Sequence, residues 1–224
     1  MESGLSLHLM PEDAATRLQP MGLSIDKLHK AVRAALGGFQ STTAFHPTFS
    51  PGTYAYSEGT AALRRSVMPD GVWEIDEEDG QPRTFSERYG IAIIVASGDE
   101  YTGFDGEKQP TARNSKGTAT EKKVTVNQDT LFPLNWVGGA APTDDIDCAK
   151  FITWMLLLHV DLRQDVIRSE LSLPRSFKAG KPCGWVERIV LPEISFGGGY
   201  TGDLVRPLGD DAGPEADIDV TWKQ

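Results

Sequence analysis

The residues best placed to do chemistry are His159, Asp161, Arg168 and Glu170, two pairs at alternate positions late in the chain. A His-x-Asp pair followed by a distant histidine supplies the facial triad of non-haem iron oxygenases. Here His8, His29 and His46 all precede the pair, so the third ligand in that order is missing. The expected role of His159 and Asp161 is therefore a polar C-cap where an apolar helix leaves the core. Arg168 and Glu170, with Glu187 and Arg188, read as cross-strand ion pairs on a wet sheet face. An enzyme with a site near His159, Asp161, Arg168 and Glu170 is carried as an alternative.

No cofactor and no metal are expected. The six Cys and His residues offer no ligand pair at zinc spacing. No P-loop, no G-x-S-x-G elbow and no G-x-G-x-x-G after a strand is present. The DEED stretch Asp76–Asp79 lacks the alternating ligands of an EF-hand loop. Cys148 and Cys183, without CxxC spacing, read as two unpaired thiols in a reducing, cytoplasmic setting. Residues 1–21 lack a basic n-region and an unbroken apolar stretch. The longest apolar run, within Phe151–Val160, is interrupted by Thr153 and His159 and is shorter than the roughly 20 residues of a membrane span. No membrane contact is expected.

Charge is distributed unevenly over a chain of net charge −10. One acidic cluster comprises Asp70, Glu74, Asp76, Glu77, Glu78 and Asp79, and a second Asp210, Asp211, Glu215, Asp217 and Asp219. Between them a glycine- and threonine-rich segment, 108–123, carries Lys108, Arg113, Lys116, Lys122 and Lys123, with Tyr101 and Phe104 just ahead. Cations that follow phosphates beside rings that stack on bases suit single-stranded nucleic acid. The layout of basic loop and acidic tail is similar in outline to phage-type single-stranded-DNA-binding proteins, without a shared motif that would assign a family.

The elements that must hold these residues follow from pattern. Ser24 caps an amphipathic helix over 24–36, with Gly37-Gly38 as its stop and His29 on its solvated side. Residues 40–59, rich in Ser, Thr, Pro, Gly and aromatics, read as irregular with short strands, followed by a short helix over 61–67. Val72–Ile75 with Asp79-Gly80 suggests a hairpin, and IAIIVAS a central strand. Thr143 and Asp144 would cap a central apolar helix over 145–158. Strands are expected at Lys123–Asn127, Val166–Leu173 and Trp185–Leu191.

These readings combine into an α+β fold, a mixed or antiparallel sheet packed on the helix at 145–158 and on the N-terminal helix. Residues 1–208 form one domain and 209–224 an acidic tail. The expected function is a non-enzymatic binding or assembly protein that contacts nucleic acid or a nucleoprotein complex through the loop 108–123. A multi-subunit assembly with a protein partner is compatible with this. A second alternative is an acidic mimic of nucleic acid that binds a basic protein through Asp76, Glu77, Glu78, Asp79, Asp210 and Asp211.

Overall fold

The computed structural model describes residues 5–77, 81–113, 151–178 and 181–197. Their order is β1 (Ser6–His8), α1 (Pro11–Leu18), α2 (Ile25–Gln40), α3 (Ser50–Val67), β2 (Glu74–Asp76), β3 (Arg83–Ser86), β4 (Ile91–Ser97), β5 (Ile152–Asp161), β6 (Val166–Pro174), β7 (Phe177–Lys178), β8 (Lys181–Pro182) and β9 (Trp185–Ser195). Seven strands form one mixed sheet in the order β1-β9-β6-β5-β4-β3-β2, and β7-β8 is a separate ribbon. The α+β class is as expected from the sequence.

The expected central helix is corrected. Residues 152–161 form β5, parallel to β4 with Ile91 beside Ile152 and Ser97 beside Leu158. An unbroken apolar run is equally the mark of a strand covered on both faces, and periodicity cannot separate the two. Here alternation does the sorting. Trp154, Leu156 and Leu158 join the core beneath the helices, whereas Met155 and Leu157 join a second core on the opposite face. Residues 145–150, and with them the expected cap at Thr143 and Asp144, lie outside the described residues, as does the expected strand at Lys123–Asn127.

The helical side is close-packed. Ser24 caps α2 as expected, its hydroxyl accepting from the Lys27 N–H at 3.2 Å. Gly37-Gly38 does not stop the helix, which runs on to Gln40. A Cβ at Gly38 would lie 2.6 Å from the Tyr54 carbonyl oxygen, and one at Gly59 would lie 3.1 Å from the Ala35 Cβ. The glycines therefore let α2 and α3 approach. The helix expected over 61–67 is present but begins at Ser50, so residues 50–59 are helical where irregular chain was expected, because Pro51 sits in the first turn, where its missing N–H costs no helical bond. His29 is also corrected: it is buried, with Nε2 3.0 Å from the Pro192 carbonyl oxygen.

β4, β6 and β9 appear where strands were expected, and β2 and β3 pair as the expected hairpin. β9 continues past Pro192 because β6 and β9 slip register between Ile167 and Ser169, a bulge that accommodates a residue without an N–H. The parallel β4–β5 pair also gives the long connection between them a topological reason, since parallel neighbours require a crossover of a dozen residues or more. Its first stretch, Gly98–Arg113, lies on the sheet face opposite the helices, where Ala112 is buried against Met155, Leu157 and Trp185.

Candidate nucleic-acid interface and the ionic network beneath it

A loop without regular structure can lie on an apolar sheet only if its backbone groups find partners. Asp99 closes this loop on itself: Oδ1 accepts from the Tyr101 N–H at 3.2 Å and Oδ2 from the Thr111 N–H at 3.1 Å. Burial pushes the Asp99 carboxyl above the usual range, against the pull of those two N–H groups. The Trp185 indole N–H donates to the Pro110 carbonyl at 2.8 Å and fixes the far end to β9.

The middle of the loop is held by charge. Glu170 and Arg188 are 0% and 1% exposed. Glu170 Oε1 accepts from Arg188 Nε at 3.0 Å and Ser172 Oγ at 2.7 Å, and Oε2 from Arg188 Nη2 at 2.6 Å and the Gly103 N–H at 2.9 Å. Arg188 Nη2 donates as well to the Phe104 carbonyl at 3.0 Å. Gly103 has φ +81°, and a Cβ there would lie 3.1 Å from the Arg168 Cβ, so the position needs glycine on both counts. The carboxylate is saturated, with four donors on two oxygens.

Arg168 completes the network. Its Nε donates to the Thr102 carbonyl at 3.2 Å, Nη1 to Gln164 Oε1 at 3.1 Å and Nη2 to Asp161 Oδ2 at 3.0 Å, while the guanidinium lies 4.1 Å from the Phe104 ring centroid. Asp161 Oδ1 accepts from the N–H groups of Arg163 and Gln164. Burial raises the Asp161 carboxyl, but these two N–H groups and Arg168 together hold it below its ordinary value. His159 Nδ1 lies 3.4 Å from the Gly98 carbonyl oxygen, and burial lowers its pKa more than that contact raises it.

The expectation of a wet sheet face is therefore corrected: Arg168, Glu170 and Arg188 are buried beneath the loop. Glu187, grouped with them by sequence, points to the other face by strand alternation, where it meets His8 at 2.9 Å and Arg17 at 2.5 Å. The His159-x-Asp161 pair ends a strand, not a helix.

Of the residues expected to bind, Tyr101, Phe104, Lys108 and Arg113 are described, on the loop over the sheet. Lys108 Nζ lies 3.2 Å from the Tyr101 hydroxyl and 5.3 Å from its ring centroid. Phe104 stays 44% exposed, and Arg113 is exposed. Tyr101 and Lys108 thus come together and Phe104 lies against Arg168, whereas Lys116, Lys122 and Lys123 lie outside the described residues. In the first acidic cluster Asp76 is paired with Arg83, and Glu77 is 3.4 Å from Arg64. Glu78, Asp79, Asp210 and Asp211 lie outside the described residues, as does the whole tail 209–224.

Sequence reasoning missed the loop's own clamps, Asp99, Thr102 and Gly103. The available signal was Gly98-Asp99 followed by Thr102-Gly103, a turn-forming pair ahead of a position that accepts positive φ. Among the described residues no group of three or more His, Cys, Asp or Glu side chains is gathered to hold a metal ion, and no helix is long and apolar enough to cross a membrane. Comparison of the chain with protein-family models, with curated proteins and with solved structures gives no match in any of the three.

Proposed function

We propose that this protein is a binding component that contacts single-stranded nucleic acid through the outer surface of the loop that begins at Gly98 and continues into the basic segment 108–123. The observation that supports this reading is the pairing of cations with rings on an anchored loop: Lys108 against Tyr101, and Arg168 against a Phe104 that remains partly exposed. Anchoring by Glu170 and Arg188 reduces the ordering cost of binding, and a ring beside a cation offers a base and its phosphate their preferred partners. The acidic tail then competes with phosphate for the same cations. A reducing cytoplasm is the setting this reading assumes, in keeping with the exposed, free Cys183.

The acidic-mimic reading has less to work with, because Asp76 and Glu77 already face Arg83 and Arg64. The enzymatic reading has less still, since both Glu170 oxygens and the Asp161 carboxylate are engaged in fixing the loop. The test is a titration of labelled single-stranded oligonucleotide at two salt concentrations. Replacing Lys116, Lys122 and Lys123 with Ala should weaken binding and flatten its salt dependence by up to about 0.7 per lost contact. Truncation after Gly209 should strengthen it. Absence of binding even at low salt, where surface electrostatics are strongest, would remove the proposal.

A further inference from the structure

The end of the α2–α3 hairpin differs from the rest of this charged chain. From Ala34 to Ser57 there is no Asp, Glu, Lys or Arg, although such residues make up 24% of the protein. Phe45 is 99% exposed, Phe49 69% and Tyr54 40%. The tip is nevertheless a built turn. The His46 N–H donates to the Thr43 carbonyl at 3.0 Å, the Thr43 N–H donates to His46 Nδ1 at 3.0 Å, and the His46 ring stands edge-on to Tyr54 with centroids 5.8 Å apart. Phe45 is thereby held outward. Beside it a shallow groove of about 600 Å³ runs between the helices, lined by Gly37, Gly38, Ser41, Tyr54 and Ser57 with Glu58 as its one charged wall. A Cβ at Gly37 would meet nothing within 4 Å, so the groove is open above that residue.

We propose that this tip is where two copies of the chain associate, Phe45 of each entering the groove over Gly37 of the other. Knob and groove lie on one short hairpin, the arrangement a twofold, self-complementary interface requires. Charge favours a second copy here. Two chains of net charge −10 repel each other, and a tip without charge from Ala34 to Ser57, with the exposed Arg33 and the groove-lining Glu58 of opposite sign at its base, is where they can meet with the fewest like charges opposed. The area fits as well. Three rings of 150–250 Å² each, at these exposures, present about 400 Å² of aromatic surface, roughly half of the ≈ 800 Å² per partner of a stable interface. The exposed Thr43, Ala44, Pro47, Thr48 and Thr53 surround the rings and supply a rim. The tip has no cation to face a phosphate, which argues against a nucleic acid or an anionic lipid surface as its occupant.

Sedimentation equilibrium of the full chain from low to high micromolar concentration tests this. The wild type should pass from monomer to dimer mass. Phe45→Glu/Phe49→Glu should raise the dissociation constant roughly thirtyfold or more, the loss expected of interface hot spots. Gly37→Glu, which fills the groove from its open side, should do the same. Both variants should keep the circular-dichroism spectrum and melting temperature of monomeric wild type, and Ile75→Glu, a distant exposed apolar site, should still dimerise. Wild-type protein that stays monomeric throughout, or dimers that persist in both tip variants, would overturn the proposal. Monomer that pellets with phosphatidylcholine vesicles through Phe45 would also overturn it, replacing the second copy with a lipid surface.

Discussion

The two faces of the sheet are covered by opposite means. On one, α2 and α3 lay Leu28, Val32, Leu63 and Val67 over Ile93, Trp154, Leu156 and Ile189. On the other, a loop is held by Glu170, Arg188, Arg168 and Asp99 around a small apolar cluster. A helix satisfies its own backbone, so its cover need only be apolar. A loop does not, and its cover must bring charged side chains into the interior to receive its N–H and C=O groups. The helical face is thus tolerant of shape-conserving change. The loop face depends on every partner being present.

The largest expected effect separates these two logics. Glu170→Gln leaves Arg188 buried without its counter-charge and should cost about 3–5 kcal/mol by urea unfolding. Joint replacement, Glu170→Leu with Arg188→Met, should recover only part of that loss, because an apolar pair removes the uncompensated charge but leaves the Gly103 N–H and the Phe104 carbonyl without their partners. If the single variant is as stable as wild type, the loop is held by its apolar cluster and the contrast between the faces fails. On the helical face, Leu156→Ala should cost about 2–5 kcal/mol, graded by how far the site collapses, and no second substitution elsewhere in the network should relieve it.

Legibility in the sequence followed the same division. The amphipathic period of α2 and its Ser24 cap were readable because a helix at a core's surface writes its exposure into every third or fourth residue. The central strands are legible as apolar runs, but the run within the helix expected over 145–158 is a strand covered on both faces, which leaves no period to tell it from a helix. The connection to parallel β4 that would have decided the matter is a tertiary fact. Arg168, Glu170 and Arg188 were picked out as an ionic cluster, yet their burial was not foreseeable, since the loop that covers them lies some 65 residues upstream of Glu170. Of the expected contact residues, Lys108 and Tyr101 meet, whereas Phe104 packs on Arg168. The exposed tip at Phe45 reads in the sequence only as part of an aromatic-rich, irregular stretch.

Protons give a subtler way to sharpen the comparison, because a buried histidine, His29, serves one face and a half-buried one, His159, the other. His29 sits beneath the helices against Pro192, and His159 lies at the loop against Gly98; burial lowers the pKa of both below the usual 6.5. The unfolded chain therefore binds protons more readily than the folded one as pH falls through about 6.5. The stability contributed by the neutral rings is fully present above that pH and is progressively lost below it, levelling off under the depressed folded values. His29→Gln and His159→Gln should each flatten the decline between neutral pH and about 5.5, measured by chemical denaturation at a series of pH values. If His159→Gln leaves the profile unchanged while His29→Gln flattens it, the loop face opens to solvent enough to charge its histidine without cost.

The smallest expected effect on stability is the one that divides anchoring from contact. Lys108 is exposed, and its partners on the loop are the Tyr101 ring and hydroxyl. An exposed cation–ring pair contributes only about 0.5–1 kcal/mol, so Lys108→Ala should scarcely move the unfolding midpoint. Arg168, which also lies against a ring, is buried and bonded to Thr102, Gln164 and Asp161, so its loss should loosen the whole loop. The two cations thus share a chemistry and differ in task. If the loop meets a phosphate through Lys108, the Lys108→Ala variant keeps wild-type stability but loses oligonucleotide affinity and part of its salt dependence. Should Lys108→Ala bind as wild type while Arg113→Ala binds weakly, contact begins at the end of the anchored loop, and the Lys108–Tyr101 pair serves the fold alone.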